Sequence, residues 1–343
     1  MKVCNYTGWD SLAGLLGSAR CLLFYGEESY LKQQALQRCR EELAGGPFAA
    51  FNLVELEGAE VTADQLADAV ESCPVMSETK LVILRDLDVM KPPAALKEVL
   101  LEMLSTIPDF CTVIVYYDVL PYKPDRRSKM HAWVEKNALR VSFEPLDNKS
   151  LCRWVEQQLR QRGCAIGREE QEHLLFLCGN SMTNLLTEIE KIAAFTRGRE
   201  RVTREDLDTV CVKTLDAVLF DLTDRLAEGR YDRAVSVLRE LLAQRQDPIV
   251  LLASISAHLQ KLYAVKLARD KSEQEKMALL GTRSSYYVRK MQSAAQKVTL
   301  PWLRRALLSC AQCDLALKGA SGDREKTLEL LLLKLYSLQE GKK

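Results

Sequence analysis

Cys21-Leu22-Leu23-Phe24-Tyr25-Gly26-Glu27-Glu28-Ser29-Tyr30-Leu31-Lys32-Gln33 decides the fold. Five apolar residues stopped by a glycine make a strand buried on both faces, and the spacing from Ser29 onward makes a helix. The same step recurs along the chain. Strands are expected at Cys21–Tyr25, Phe51–Leu56, Leu81–Arg85, Thr112–Tyr117 and Arg140–Phe143, and helices at Ser29–Leu43, Ala63–Ser72, Pro93–Leu104 and Ser128–Asn137. Alternating β and α segments build a parallel sheet, whose sites lie beyond the carboxyl ends of its strands. Attention therefore falls on the loops after Tyr25, Arg85 and Tyr117.

The first of these loops falls short of the phosphate-binding pattern G-x-x-x-x-G-K-[ST]. Gly26 and Lys32 keep their places, but Leu31 replaces the second glycine and Gln33 the hydroxyl that would ligate Mg²⁺. Glu27 and Glu28 put negative charge where a triphosphate would lie. At the end of the Leu81–Arg85 strand a metal-binding carboxylate pair is expected, and Arg85 intrudes; Asp86 and Asp88 read as turn residues. The expectation is a nucleotide-binding fold without a functional nucleotide site and without a cofactor.

A second segment of this region stands out. Thr62 and Gln65 form a capping box, Leu66, Ala69 and Val70 the apolar face of the helix behind it, and Pro74 ends that helix. Val75 and Met76 then stand between a helix stop and the polar Ser77-Glu78. Two readings are open: both side chains tuck into the local core, or they form an exposed apolar plug for a partner's pocket.

From Asp147 on, the signals are helical. Four short helices are expected: Asp147 to Arg162 before Gly163, Arg168 to Cys178 before Gly179, Ser181 to Phe195, and one started by Thr203 with Asp206. Longer ones follow at Leu215–Ala227, Tyr231–Arg245, Pro248–Asp270, Ser284–Lys297, Leu300–Lys318 and Asp323–Leu338.

At 343 residues, with 47% hydrophobic and 28% charged, the chain is expected to hold two or three ordered domains. No apolar run approaches the roughly 18 residues that cross a bilayer, and residues 1–20 lack the pattern of an export signal. Eleven scattered cysteines do not form a disulfide framework, so a reducing cytoplasm is expected. Charge is graded: residues 1–144 carry 15 basic and 21 acidic residues, residues 213–343 carry 23 and 15. That surplus lies between Gln260 and Arg305, which suggests a solvated helix face or a positive surface for DNA. Tyr286-Tyr287-Val288-Arg289-Lys290 interleaves aromatic and charged residues within it. Catalytic and metal-binding residues are not expected: Cys310 and Cys313 form a lone CxxC in a helical pattern, and His131, His173 and His258 sit in no known motif.

The order of these features resembles the delta subunit of the bacterial DNA polymerase III clamp loader. The likeness is carried by Phe24 to Lys32, Phe51-Asn52, Pro74 to Asp86, Gly179-Asn180 leading to Glu188 to Ile192, Asp247-Pro248, and Leu315 to Gly319. It implies an AAA+-like domain without nucleotide activity over residues 1–143, a helical lid over 144–212 and an all-helical collar over 213–343. It further implies a subunit that is not an enzyme by itself and that binds and opens the β sliding clamp, with Pro74, Val75 and Met76 as the contact. The gamma/tau and delta prime subunits would join through the collar, whose turn Ala320-Ser321-Gly322 lacks an aromatic. Primed DNA or a neighbouring collar would face Arg283, Arg289, Lys290, Lys297, Arg304 and Arg305. Two other classes stay open: an active ATPase of the same fold, and a helical nucleic-acid-binding adaptor.

Overall fold

The alternation of apolar runs and helices places five strands in one parallel sheet, and the computed structural model, which describes residues 3–58, 60–319 and 323–340, contains that sheet with a sixth strand added at its edge. The elements are β1 (Val3–Asn5), α1 (Trp9–Ala13), β2 (Cys21–Tyr25), α2 (Ser29–Ala44), α3 (Ala49–Asn52), β3 (Leu53–Glu57), α4 (Ala63–Glu71), β4 (Lys80–Arg85), α5 (Leu100–Ser105), β5 (Cys111–Tyr116), α6 (Lys129–Asn137) and β6 (Leu139–Ser142). Their order across the sheet is β1-β6-β2-β5-β4-β3. Strand β5 is buried at every position and β4 at every position but Arg85, as two-faced coverage requires. The register aligns Leu22 with Ile114 and Val82 with Val113, so that Leu23, Val82, Leu84, Val113 and Val115 join one core with α4 and α5.

Three expectations change. The second expected strand starts at Leu53, because Phe51 and Asn52 close the short helix α3. The helix expected from Pro93 forms only at Leu100; Pro92 and Pro93 lack N–H donors, and tight bonds such as Leu96 N–H to the Pro93 carbonyl carry the chain in turns until then. Strand β1 lies outside the expected strands, because three residues, of which Cys4 alone is buried, are too short a run to show a period in the sequence. It pairs with β6, where Tyr6 packs on Phe143 at 4.8 Å.

The chain divides into two compact units at the Leu146/Asp147 junction. The second contains α7 (Asn148–Gln161), β7 (Ala165–Ile166), α8 (Arg168–Cys178), α9 (Met182–Phe195), β8 (Arg201–Val202), α10 (Arg204–Val210), α11 (Leu215–Ala227), α12 (Tyr231–Ala243), α13 (Pro248–Leu267), α14 (Glu273–Leu280), α15 (Ser285–Lys297), α16 (Leu300–Lys318) and α17 (Arg324–Glu340). The capping signals act as read: Asp147 accepts the Ser150 N–H at 2.7 Å, Asp247 the Ile249 N–H at 2.7 Å, and Thr203 with Asp206 closes a capping box. Two features are new. β7 and β8 form a two-residue parallel ribbon, and α14 follows the capping box Ser272-Glu275, whose Ser-x-x-Glu spacing is the sequence signal for that helix.

Helix α13 is long and apolar enough to cross a membrane by length and composition. Its Leu251, Leu252, Ile255, Leu259, Leu262 and Val265 are buried, packed with Leu303, Ala306 and Leu328 in the helical core. Phe176 of α8 packs edge-on to Phe220 of α11 at 5.0 Å, so the early and late helices share that core. Ala320, Ser321 and Gly322, the expected collar turn, lie outside the described residues.

Candidate functional site

Helix α4 ends at Glu71, and the chain between it and β4 makes a tip at Pro74 to Glu78. Val75 is 44% exposed and Met76 82%, which excludes the core reading for the pair. Pro74, which precedes them, is half-buried. Met76 adopts φ +50, a left-handed conformation that costs a non-glycine residue about 1 to 2 kcal/mol. Such strain needs surrounding structure to hold it. Asn52 supplies that structure: its buried carboxamide donates to the Val75 carbonyl at 2.9 Å and accepts the Val75 N–H at 2.7 Å. At the base, Thr79 Oγ1 donates to the Leu43 carbonyl at 2.7 Å, and the buried Lys80 ammonium donates to the Ser72 carbonyl at 3.3 Å. Phe48 and Phe51, 40% and 65% exposed, precede Asn52 in sequence, so further exposed apolar side chains stand on the segment that carries it.

The loop after β2 is closed by its own side chains. Gly26 has φ +128, and a Cβ there would fall 2.2 Å from the Phe143 carbonyl oxygen, so only glycine fits. Glu28 is the N-cap of α2, with Oε1 accepting the Tyr30 N–H at 3.3 Å. A carboxylate thereby takes the helix N-terminus that a phosphate uses in nucleotide-binding loops. Burial raises the Glu28 carboxyl above its ordinary range, against the pull of that hydrogen bond. Lys32 is 1% exposed and donates to the carbonyls of Gly26 at 3.1 Å and Tyr117 at 2.6 Å. Burial lowers its pKa, opposed by Asp118 and Asp86. Leu31 is core, whereas Gln33 and Glu27 face solvent.

At the ends of β4 and β5, Arg85 pairs with Asp118 at 2.8 Å, approaches Glu57 at 3.7 Å and Glu55 at 3.9 Å, and lies 4.9 Å over the Tyr116 ring. Asp88 is a turn residue, accepting from Met90 and Lys91. Asp86 does more than turn the chain. In a left-handed conformation at φ +51, its Oδ1 accepts the N–H groups of Asp118, Val119 and Leu120 at 2.8, 3.0 and 2.9 Å, a nest filled from within the chain.

The profile of the DNA polymerase III delta subunit matches residues 22–144, and that of the delta subunit's C-terminal domain matches residues 216–335. The chain belongs to the DNA polymerase III delta subunit family. A DNA polymerase III subunit delta of Bacillus subtilis is 25% identical over 338 residues, 97% of each chain. A probable subunit delta of Aquifex aeolicus is 23% identical over 304 residues, 86% of this chain and 85% of that one. The solved structure of the Bacillus subtilis DNA clamp loader delta protein shares the fold with a TM-score of 0.56 at 23% identity, covering 96% of this chain and 98% of that one. As a member of the delta family this chain is an accessory subunit of DNA polymerase III.

In this delta-family chain the basic stretch is largely spent on internal contacts. Arg289 pairs with Glu172 at 2.9 Å, and Lys297 with Asp224 at 2.9 Å and Glu228 at 3.4 Å; burial opposes the rise in the Lys297 pKa, but the two carboxylates prevail. Lys290 lies over the rings of Phe176 at 5.6 Å and Tyr286 at 5.8 Å, and burial lowers its pKa. Lys266 donates to the carbonyls of Ala295 and Val298. Arg304 donates to the Tyr263 hydroxyl at 3.1 Å with its side chain exposed, Arg305 is exposed, and Arg283 lines a cleft of about 560 Å³ with Lys149, Arg153 and Arg168.

The delta-family chain brings together other polar residues that sequence spacing did not announce. Cys178, Glu188 and Cys211 are buried with their ligand-type atoms within 4.8 Å of one another. Their own contacts account for them: Glu188 accepts the Lys191 ammonium at 2.7 Å and the Val212 N–H at 3.2 Å, while hydrogen bonding with Cys211 and then burial hold the Cys178 thiol protonated. Cys310 and Cys313 are buried in α16, with burial pushing the Cys313 thiol up to about 11. His131 faces Glu135, His173 bridges Asp208 and Tyr286, and His258 meets the Thr223 hydroxyl.

Proposed function

We propose that this chain binds the β sliding clamp through Val75 and Met76, with Pro74 beside them in the contact, and opens the clamp's interface while other subunits supply ATP hydrolysis. The observation that carries the reading is an exposed apolar pair on a tip whose backbone is fixed, so its anchors are presented without a large ordering cost on binding. Each anchor of this size contributes roughly 1.5 to 3 kcal/mol when buried in a partner's pocket. By the same reading residues 1–143 are the clamp-binding AAA+-like domain, 144–212 a lid and 213–343 a collar, through which gamma/tau and delta prime subunits join. The residues left to face primed DNA or a neighbouring collar are Arg283, Arg304 and Arg305, whose charges are the least engaged of the six.

The chain is a passive member of the ring with respect to ATP. Glu28 fills the helix N-terminus, Lys32 is committed to two carbonyls, and Arg85 neutralises the carboxylates at the strand ends where a metal would sit. Titration calorimetry with ATP and Mg²⁺ on the full chain is expected to give no binding heat. Binding with micromolar affinity would favour the active-ATPase reading instead.

A further inference from the structure

The tip's side chains are exposed, yet its backbone is not left to itself. Between α4 and β4 residues 72–79 form no helix or strand, and a segment of that kind ordinarily loses backbone conformational entropy at each residue when a partner fixes it. Here one buried side chain from another element has already fixed the residue that bears the first anchor. Asn52, 1% exposed at the end of α3, makes three hydrogen bonds: Nδ2 to the Val75 carbonyl at 2.9 Å, Nδ2 to the Phe48 carbonyl at 3.2 Å, and Oδ1 from the Val75 N–H at 2.7 Å. The carboxamide pairs with both backbone groups of Val75 as a neighbouring strand would. Only an amide side chain can donate and accept in this way; an aspartate accepts alone and an alanine does neither.

Thr79 and Lys80 tether the tip's base, but neither reaches Val75 or Met76. The left-handed backbone of Met76 directly follows the residue that Asn52 holds, so the strained conformation depends on that grip. We infer that Asn52 is the positioning residue of the clamp contact: it holds the tip in its binding conformation before the clamp arrives. This inference rests on the clamp-binding reading above, and it assigns Asn52 a share of the affinity although the side chain is buried in the free protein.

The test is a mutant cycle on the full chain, with dissociation constants for purified β sliding clamp measured by surface plasmon resonance. Asn52→Ala is expected to weaken binding about tenfold, the cost of re-ordering roughly one residue's backbone. Asn52→Asp, nearly the same shape, should also weaken it, because a carboxylate would face the Val75 and Phe48 carbonyls. On the Val75→Ala/Met76→Ala background, Asn52→Ala should cost less than about twofold more, since a tip without anchors gains nothing from being held. A merely structural role would cost the same on both backgrounds, and that result would overturn the inference. So would wild-type affinity in Asn52→Asp, which guards against an alanine variant that folds poorly. If Val75→Ala/Met76→Ala itself binds clamp normally, the clamp-binding reading fails and this inference falls with it. Loss in that double variant with full affinity in both Asn52 variants sinks this inference alone.

Discussion

Asp86 shows how a single side chain can close a site from inside. Its carboxylate gathers three backbone N–H groups from residues 118–120, the kind of concavity that elsewhere receives a phosphate. Hydrogen bonds to a charged acceptor contribute about 1.5 to 3 kcal/mol, and the left-handed backbone at φ +51 suits Asp or Asn better than alanine. Asp86→Ala should therefore lower stability by about 2 to 3 kcal/mol in urea unfolding, and Asp86→Asn should recover roughly half of that, since it keeps an acceptor and tolerates the backbone. An unchanged midpoint in Asp86→Ala would refute this role. From the sequence Asp86 reads as a turn residue because its partners lie more than thirty positions on, in a loop whose approach depends on β4 pairing with β5. Lys32 and Glu28 are hidden in the same way: motif comparison identifies which phosphate-loop residues are lost, but not that the surviving lysine turns toward Gly26 and Tyr117.

Elements were legible where periodicity and punctuation agreed. β2, α8, α9, α11 and α16 fall on the residues expected, each bounded by a glycine or a capping side chain or built of a full apolar run. Misses cluster where the signal is too short or local chemistry overrides it, as in three-residue β1, the proline-delayed α5, and Phe51-Asn52, which ends a one-turn helix instead of opening a strand. The role of Asn52 was invisible for a related reason: its motif is local, but its partner Val75 is 23 residues away. The packing of α13 on α11 carries a pH dependence. His258 is buried against Thr223, and burial, with a smaller push from Lys261, lowers its pKa to about 4 from 6.5. A histidine whose folded pKa lies below its unfolded value binds its proton more readily in the unfolded chain. Its contribution is intact above pH 6.5 and is lost as pH falls toward 4, by about 3 kcal/mol over the window. Unfolding free energies measured from pH 7.5 to 4 should fall more steeply for wild type than for His258→Leu. Parallel profiles would contradict the buried neutral histidine.

At the scale of the whole molecule, the two units carry different kinds of surface. Residues 1–146 hold the exposed apolar tip and the loop after β2 that Glu28 and Lys32 close with their own hydrogen bonds, while the helices from Asp147 on bury one extended core and spend most of their basic surplus on internal pairs. On the proposed reading this division gives the subunit recognition rather than hydrolysis, with the recognition concentrated in Val75 and Met76. The measurement that tests this most directly compares the wild-type full chain with Val75→Ala/Met76→Ala for clamp affinity and melting temperature. Both side chains are exposed, so the melting temperature should hold, while loss of two anchors should weaken clamp binding about a hundredfold or more and abolish clamp opening. A variant that melts several degrees earlier, with its folded fraction still binding clamp as wild type does, would contradict the account.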